Sequence, residues 1–181
     1  MSTAAEHALF GDALGCDETL PAAFVGGTAA AGGDGAGLLR ALSLIEETGE
    51  AEREDADPRS GELARVEAKL DLVLALLGWV LRAQRPDLAP VALRWSRFGA
   101  CVHAATAPSA HTGLLRVALD PRLPQPLELP ARLIACEPEG EGVRLWLRFD
   151  RLDPALESAL ERHVFRRHRR AVAEARRSAR A

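Results

Sequence analysis

The sequence predicts a protein of the α+β class, mainly β, in which a small antiparallel β-barrel lies between two helices. Three patterns indicate this architecture. Apolar residues recur at heptad spacing between residues 63 and 80, apolar and polar residues alternate in short runs between residues 91 and 150, and a helical period follows Pro154. Alternation is typical of half-buried strands, and steps of three and four are typical of helices. We therefore expect a helix over residues 61–85, a barrel over 88–152 and a basic helix over 153–179.

The first sixty residues have weaker patterns than the rest. Residues 1–25 carry scattered apolar residues, so we expect a short helix or a docked segment there. Residues 26–60 are predicted to be a flexible linker, because the stretch 26–37 is rich in Gly and Ala and has no apolar face. This linker contains a short helix, Leu38 to Glu47, and an acidic stretch with seven Asp and Glu residues against one Arg between residues 46 and 57.

The helix predicted over residues 61–85 carries a regular heptad pattern, with Leu at each a position and Val at each d position. Its seam residues are Leu63, Val66, Leu70, Val73, Leu77 and Val80. Leu at a with a β-branched residue at d favours assemblies larger than dimers. We therefore expect the chain to self-associate, with four chains favoured. The alternative is a helix that packs on its own barrel, because fewer than three full heptads make an isolated coiled coil marginal.

The last strand of the predicted barrel has the clearest alternation. Its inward face is predicted to consist of Val143, Leu145, Leu147 and Phe149, and its outward face of Arg144, Trp146 and Arg148. Gly140 and Gly142 flank the turn before it. Several short strands of this kind within about 60 residues indicate a small barrel.

The C-terminal helix is predicted to begin after Asp153, a good N-cap residue. It is strongly basic, with eight arginines from Arg162 onwards. Such a run binds an acidic partner or nucleic acid, or forms a solvated face. Phe165 is the one aromatic residue within it, which argues against a stacking platform for nucleic acid. A further possibility is pairing with the acidic stretch, within one chain or between chains.

No residue pattern predicts catalysis, a bound metal or a cofactor, because the chain has no nucleophile motif, phosphate loop or ligand spacing. The three cysteines, Cys16, Cys101 and Cys136, are widely spaced, which fits free thiols in a reducing compartment. The longest apolar run, Leu72 to Leu81, is about half of what a membrane span needs. We therefore expect a cytoplasmic protein without a membrane span that is not an enzyme.

The order of these elements resembles the PilZ family, bacterial domains that bind cyclic di-GMP. The strand from Leu93 to Ala100 (LRWSRFGA) has the Ser and Gly of the family's (D/N)xSxxG motif at Ser96 and Gly99. The end of the chain, LWLRFDRLDPALESALERHVFRRHRR, resembles the family's last strand and basic helix. With a heptad helix in front of the barrel, the chain is most similar to the atypical, tetrameric subfamily, in which such a helix assembles four chains.

The sequence departs from the family where the ligand would bind. The resemblance implies an RxxxR pair that grips the phosphates, a role suited to planar guanidinium groups. Here Arg82 and Arg85 are three residues apart instead of four, at the end of the heptad helix. Arg94 stands at the D/N position, and a guanidinium has no acceptor to offer a guanine edge. These departures argue against binding of cyclic di-GMP in the classical way.

Two functions follow as hypotheses. The first is a non-catalytic, oligomeric interaction module in cyclic di-GMP-related regulation of motility or virulence, which engages an unidentified protein partner. The alternative is a cyclic di-GMP receptor with a displaced site that uses Arg82, Arg85 and Ser96, next to Gly99.

Overall fold

The computed structural model describes residues 3–27, 33–51, 70, 73, 88–123 and 125–179. The strands are β1 (Cys16–Gly26), β2 (Pro90–Trp95), β3 (Gly99–Ala104), β4 (Thr112–Val117), β5 (Leu127–Glu139) and β6 (Gly142–Phe149). The helices are α1 (Thr3–Phe10), α2 (Gly35–Ala51) and α3 (Pro154–Ser178). The strands form a closed antiparallel barrel in the order β1-β2-β3-β6-β5-β4, which confirms the predicted fold class.

Strand β1 closes the barrel. Its first half, from Cys16 to Pro21, pairs with β2, and its second half, from Ala22 to Gly26, pairs with β4. The barrel therefore begins at residue 16, and the prediction that placed it within 88–152 is wrong on this point. The short helix expected within residues 1–25 is present as α1. Pro21 interrupts the strand pattern in the sequence, since proline is rare inside strands. The structure accommodates Pro21 because β1 changes its pairing partner there, so that neither strand pairing needs a hydrogen bond from the N–H that proline lacks.

A tight turn joins β2 to β3. The N–H of Ser96 donates to the carbonyl of Gly99 at 2.9 Å, and the Ser96 hydroxyl accepts the N–H of Phe98 at 3.1 Å. The segment from Leu93 to Ala100, predicted to be one strand, is therefore a hairpin. A serine hydroxyl that bonds the nearby backbone offers the chain an alternative to continued strand pairing.

The barrel interior is filled by apolar residues that alternate along the strands. Side chains that are no more than 2% exposed include Leu93, Trp95, Val102, Leu115, Val117, Leu127, Leu129, Leu145 and Leu147. On β6 the predicted alternation is confirmed, with one addition. Trp146 lies on the outward face between two arginines, yet it is only 4% exposed, because α1 covers it.

Helices α2 and α3 pack against each other and join the barrel core. Asp153 caps α3, accepting the N–H of Ala155 at 2.7 Å, which confirms the predicted N-cap. The buried residues of α3 are Leu156, Ala159, Leu160, His163 and Val164. The helix predicted from Leu38 to Glu47 lies within α2, which begins earlier because the Asp34 carboxylate accepts the N–H of Gly37 at 2.8 Å.

Much of the predicted linker and acidic stretch, residues 28–32 and 52–60, lies outside the described residues. In the part of the chain that the structure covers, no helix is both long and apolar enough to cross a membrane.

Candidate functional site

The heptad helix is represented by two of its predicted seam residues. Leu70 and Val73 are helical, and they are 57% and 51% exposed in the single chain. In a coiled coil, a neighbouring helix covers such a and d side chains. The other four seam residues, Leu63, Val66, Leu77 and Val80, lie outside the described residues, as do Arg82 and Arg85. Assembly and the role of the arginine pair therefore stay predictions.

Ser96 is completely buried beneath α1. Its hydroxyl donates to the backbone carbonyl of Leu9 at 2.6 Å and accepts the N–H of Phe98 at 3.1 Å. The Leu9 carbonyl is in the last turn of α1, where backbone carbonyls find no N–H donor within the helix. Ser96 thus caps the C-terminus of α1, and its hydroxyl is engaged within the chain.

Gly99 lies at the other end of the same turn, where the chain leaves no room for a side chain. A Cβ atom here would clash with the carbonyl oxygen of Leu147 and would lie 2.6 Å from Cδ2 of Leu9. Close backbone approach is a common reason for a glycine within a strand. The packing of β6 and α1 therefore accounts for this glycine without a ligand.

Arg94 holds the flank of α1. Its guanidinium donates to Glu6 Oε1 at 3.2 Å, and its Cζ atom lies 4.5 Å from the centroid of the Phe10 ring. Asp17 lies further away, with its Oδ1 3.9 Å from Nε of Arg94. A cation beside the last turn of a helix also interacts favourably with the helix dipole. The residue that departs from the D/N position of the motif therefore binds α1.

Beneath α1 lies a small apolar cluster that is separate from the main core. It consists of Ala5, Leu9, Phe10 and Trp146, with Cys101 and Ala135 at its edge. The Phe10 and Trp146 rings are 6.3 Å apart and inclined at 59°. The indole Nε1 of Trp146 is buried and has no acceptor among the described residues. Burial raises the pKa of the Cys101 thiol to about 11, so this thiol is protonated at neutral pH.

An open groove of about 580 Å³ runs beside α1 over β2, β3 and β6. Its polar lining mixes charges of both signs, including Glu6, Arg94 and Arg144. Arg144 is already paired, since its Nε donates to Glu139 at 2.9 Å. Mixed and internally paired charges are not the arrangement that a polyanion requires.

The basic helix α3 pairs with acids of the same chain. Glu46 of α2 lies 2.9 Å from Arg170 and 3.7 Å from Arg167, and Arg167 lies 2.5 Å from Glu18 of β1. Arg166 approaches Glu46 at 4.0 Å. The Glu46 side chain is only 11% exposed, so the carboxylate at the centre of this network is largely shielded from solvent, while the arginines stay partly exposed. The predicted pairing with the acidic stretch is thus confirmed for its first residue, Glu46. Residues 171–178 of α3, in contrast, form a solvated end.

His163 joins α3 to the barrel as a fully buried polar residue. Its ring meets Trp95 edge to face at 5.4 Å, and neither ring nitrogen has a hydrogen-bond partner among the described residues. Burial first, and then the charge of Arg167, Arg166 and Arg170, lower the pKa of His163 to about 3. The imidazole is therefore neutral and acts as part of the core. Across the described chain, no group of three His, Cys, Asp or Glu side chains is placed to hold a metal ion.

A closed six-stranded barrel, a capped C-terminal helix and a Ser–Gly turn define a small β-barrel domain. The family model "Atypical PilZ domain, cyclic di-GMP receptor" matches residues 39–177, and the chain belongs to this family. A solved structure from Xanthomonas campestris is 37% identical, with a TM-score of 0.79, over 95% of this chain and 97% of its own. That protein is described as a tetrameric PilZ domain self-assembled via an unusual helical bundle. No protein of curated function matches the chain in sequence.

Sequence reasoning singled out Ser96 and Gly99 but missed what contacts them. The residues it missed are Glu6, Leu9 and Phe10 on α1, and Glu18 on β1. One signal was available, because an outward-facing Trp146 between two arginines indicates that some element covers it. The identity of that element depends on a contact between distant parts of the chain.

Proposed function

We propose that this chain is a non-catalytic, oligomeric signalling module that acts in cyclic di-GMP-related regulation through a protein partner. It does not bind the nucleotide in the classical way. The observation that carries this proposal is that Arg94, Ser96 and Gly99 all contact α1. The positions that match the family's motif are therefore occupied by the chain itself.

The heptad helix supports a tetramer in this proposal. Leu70 and Val73 are helical and exposed in the single chain, as seam residues of a coiled coil would be before assembly. A relative of 37% identity is tetrameric through a helical bundle. The barrels would then be displayed around a central bundle, with the β2–β3 turn and α1 available to partners.

A second candidate is a cyclic di-GMP receptor with a displaced site built from Arg82, Arg85 and Ser96. The description of the matching family model as a cyclic di-GMP receptor favours it. For Ser96 to take part, α1 must leave, because the Ser96 hydroxyl is fully buried against Leu9.

Calorimetric titration of the wild type with cyclic di-GMP tests the proposal. We expect no saturable heat in the micromolar range. Micromolar binding that disappears in the Arg82→Ala, Arg85→Ala double variant, but persists in Arg148→Gln, would establish the second candidate instead. Arg148 is a suitable control because it is an exposed arginine on the same barrel.

Light scattering tests the assembly. We expect the wild type to have about four times the mass of one chain, following the oligomer-state rule for Leu at a and a β-branched residue at d. The Leu70→Asp, Leu77→Asp variant should have a lower mass. Leu14→Asp is the matched control, because Leu14 is a partly exposed apolar residue (41%) outside the heptads. A monomeric wild type, or a double variant of unchanged mass, would refute assembly through this helix.

A further inference from the structure

The surface beneath α1 is built to hold the end of a helix. Its residues are Arg94, Ser96, Cys101, Ala135 and Trp146, and together they form what is termed here the helix-docking face. Ser96 donates to a carbonyl of the last helical turn, and the Arg94 guanidinium lies over the ring of Phe10, the last residue of α1. Arg94 also bonds Glu6, one turn earlier in the helix. Helix C-termini have orphan carbonyls and a partial negative charge. The Ser96 bond to a backbone carbonyl therefore does not depend on the helix sequence, whereas Arg94 recognises the side chains of Glu6 and Phe10.

We infer that the helix-docking face is a receptor for an amphipathic helix of a partner protein, and that α1 occupies it in the isolated chain. This inference rests on the proposed function, since it names the surface on which the interaction module takes its partner. The helix it fits has an acidic residue, followed three and four residues later by two large apolar residues near its C-terminal end. In α1 these are Glu6, Leu9 and Phe10.

Helix α1 is an exchangeable occupant. It has eight residues, and its buried apolar side chains lie in a small cluster separate from the main core. Helices shorter than about 12–15 residues are marginal by themselves. The conformational entropy that is lost when eight residues become ordered offsets much of the free energy gained by burying Leu9 and Phe10. Segments with few buried contacts open at low free-energy cost.

Helix α1 is also an incomplete occupant. The Trp146 Nε1 donor is buried with no acceptor among the described residues, which is an unfavourable state for a polar group. The groove of about 580 Å³ beside α1 shares Arg94 and Trp146 with the helix-docking face, and none of the described residues fills it. A longer helix could occupy this groove, and an acceptor side chain opposite Trp146 would give the indole N–H a hydrogen-bond partner.

These deficits distinguish a partner protein from a second copy of this chain. The α1 helix of another copy would present the same eight residues, leave the same donor unpaired and leave the same groove open. It would gain nothing over the tethered α1, which is present at an effective concentration on the order of millimolar. The occupant that displaces α1 must therefore offer more contacts than α1 does.

Peptide binding to the full-length protein tests the inference. The open variant carries Leu9→Ser and Phe10→Ser, which remove the contacts of α1 and leave the barrel residues unchanged. The first probe is a labelled peptide with the sequence of residues 1–12, and the second has two Ala-rich helical turns in front of it. The tethered α1 is docked only if its dissociation constant is lower than its effective concentration, which is on the order of millimolar. The first peptide has the same sequence, so its dissociation constant for the open variant must lie below about a few millimolar.

We expect both peptides to bind the open variant in fluorescence polarisation, the longer one at least tenfold more tightly. We expect wild-type protein to bind at least tenfold more weakly, because its own α1 competes. Arg94→Gln in the open variant should weaken binding severalfold, whereas Arg148→Gln should not change it. A folded open variant that binds neither peptide up to this limit would overturn the inference.

Two further outcomes are decisive. A fall in the mass of the open variant in light scattering would assign α1 to a neighbouring copy and overturn the partner inference. If the double variant does not fold, Glu6→Arg replaces it, since that residue lies in an exposed ion pair. Calorimetry with cyclic di-GMP reports on the proposed function separately, because nucleotide binding by the wild type would refute that function and leave the peptide result standing.

Discussion

Helices α1 and α3 dock on the same barrel, but they bury different kinds of surface. Helix α3 contributes Leu156, Leu160 and Val164 to the main core, and its arginines pair with Glu18 and Glu46. Helix α1 lies on the outer face over a cluster of its own. The main core cannot be completed without α3, whereas it is already complete without α1. This difference identifies α3 as a structural part of the barrel and α1 as a helix that can undock from it.

The largest expected effect comes from truncating matched leucines on the two helices. Leu160 and Leu9 are both 0% exposed. Leu160→Ala should lower the free energy of unfolding by about 2–5 kcal/mol, because it opens a cavity in the main core. Leu9→Ala should cost clearly less, since its loss is limited to the free energy with which α1 docks. Urea unfolding at one fixed protein concentration measures both. Equal costs would show that α1 belongs to the same cooperative unit as α3.

Acidification should destabilise the α3 interface through His163. The pKa of this residue is about 3 in the folded chain against an ordinary value of 6.5, so below pH 6.5 the unfolded chain takes up a proton that the folded chain does not. The contribution of neutral His163 is complete above pH 6.5 and falls as pH drops towards 3, by up to about 1.4 kcal/mol per pH unit. The difference between wild type and His163→Leu across about pH 4–8 isolates it. A pH-independent difference would contradict the prediction.

Removing the charge of Glu46 should loosen α2 from α3. In Glu46→Gln, three arginines lose the carboxylate that they share. We expect the free energy of unfolding to fall by about 1–2 kcal/mol. This is less than the loss of a fully buried ion pair would cost, because the arginines are partly solvated. Glu161→Gln is the control, since its pair with Arg97 is 56% and 42% exposed. Denaturant midpoints of the two variants give the comparison. A control that costs as much as Glu46→Gln would show that burial of the network adds nothing.

The smallest effect is expected on α1 itself. Arg94→Gln removes an exposed ion pair and a cation–π contact, together worth about 1 kcal/mol or less. Amide hydrogen exchange in residues 3–10 should therefore become a few times faster, with no change in the barrel strands. Exchange that speeds up throughout the barrel would show that Arg94 supports the core, and unchanged exchange in α1 would show that it does not hold the helix.

The sequence was most informative where structure is local. Strand β6 and helix α3 follow from alternation, helical period and the Asp153 cap, because each depends on neighbours within a few residues. Strand β1 was missed because it is defined by pairing with β2 and β4, which lie far along the chain, and because Pro21 interrupts its pattern. The same limit applies to Ser96, because its contact with Leu9 joins residues that lie 87 positions apart in the chain.

The sequence by itself determined the barrel class, the basic closing helix and the family to which the chain belongs, because these depend on periodicity and local motifs. It also showed that Arg94 cannot do what an Asp or Asn would do at that position. Only the tertiary structure decided what Arg94, Ser96 and Gly99 do instead, since their partner, α1, lies more than eighty residues away. The physical reason is that periodicity reports which face of an element is buried, and not which distant element covers it.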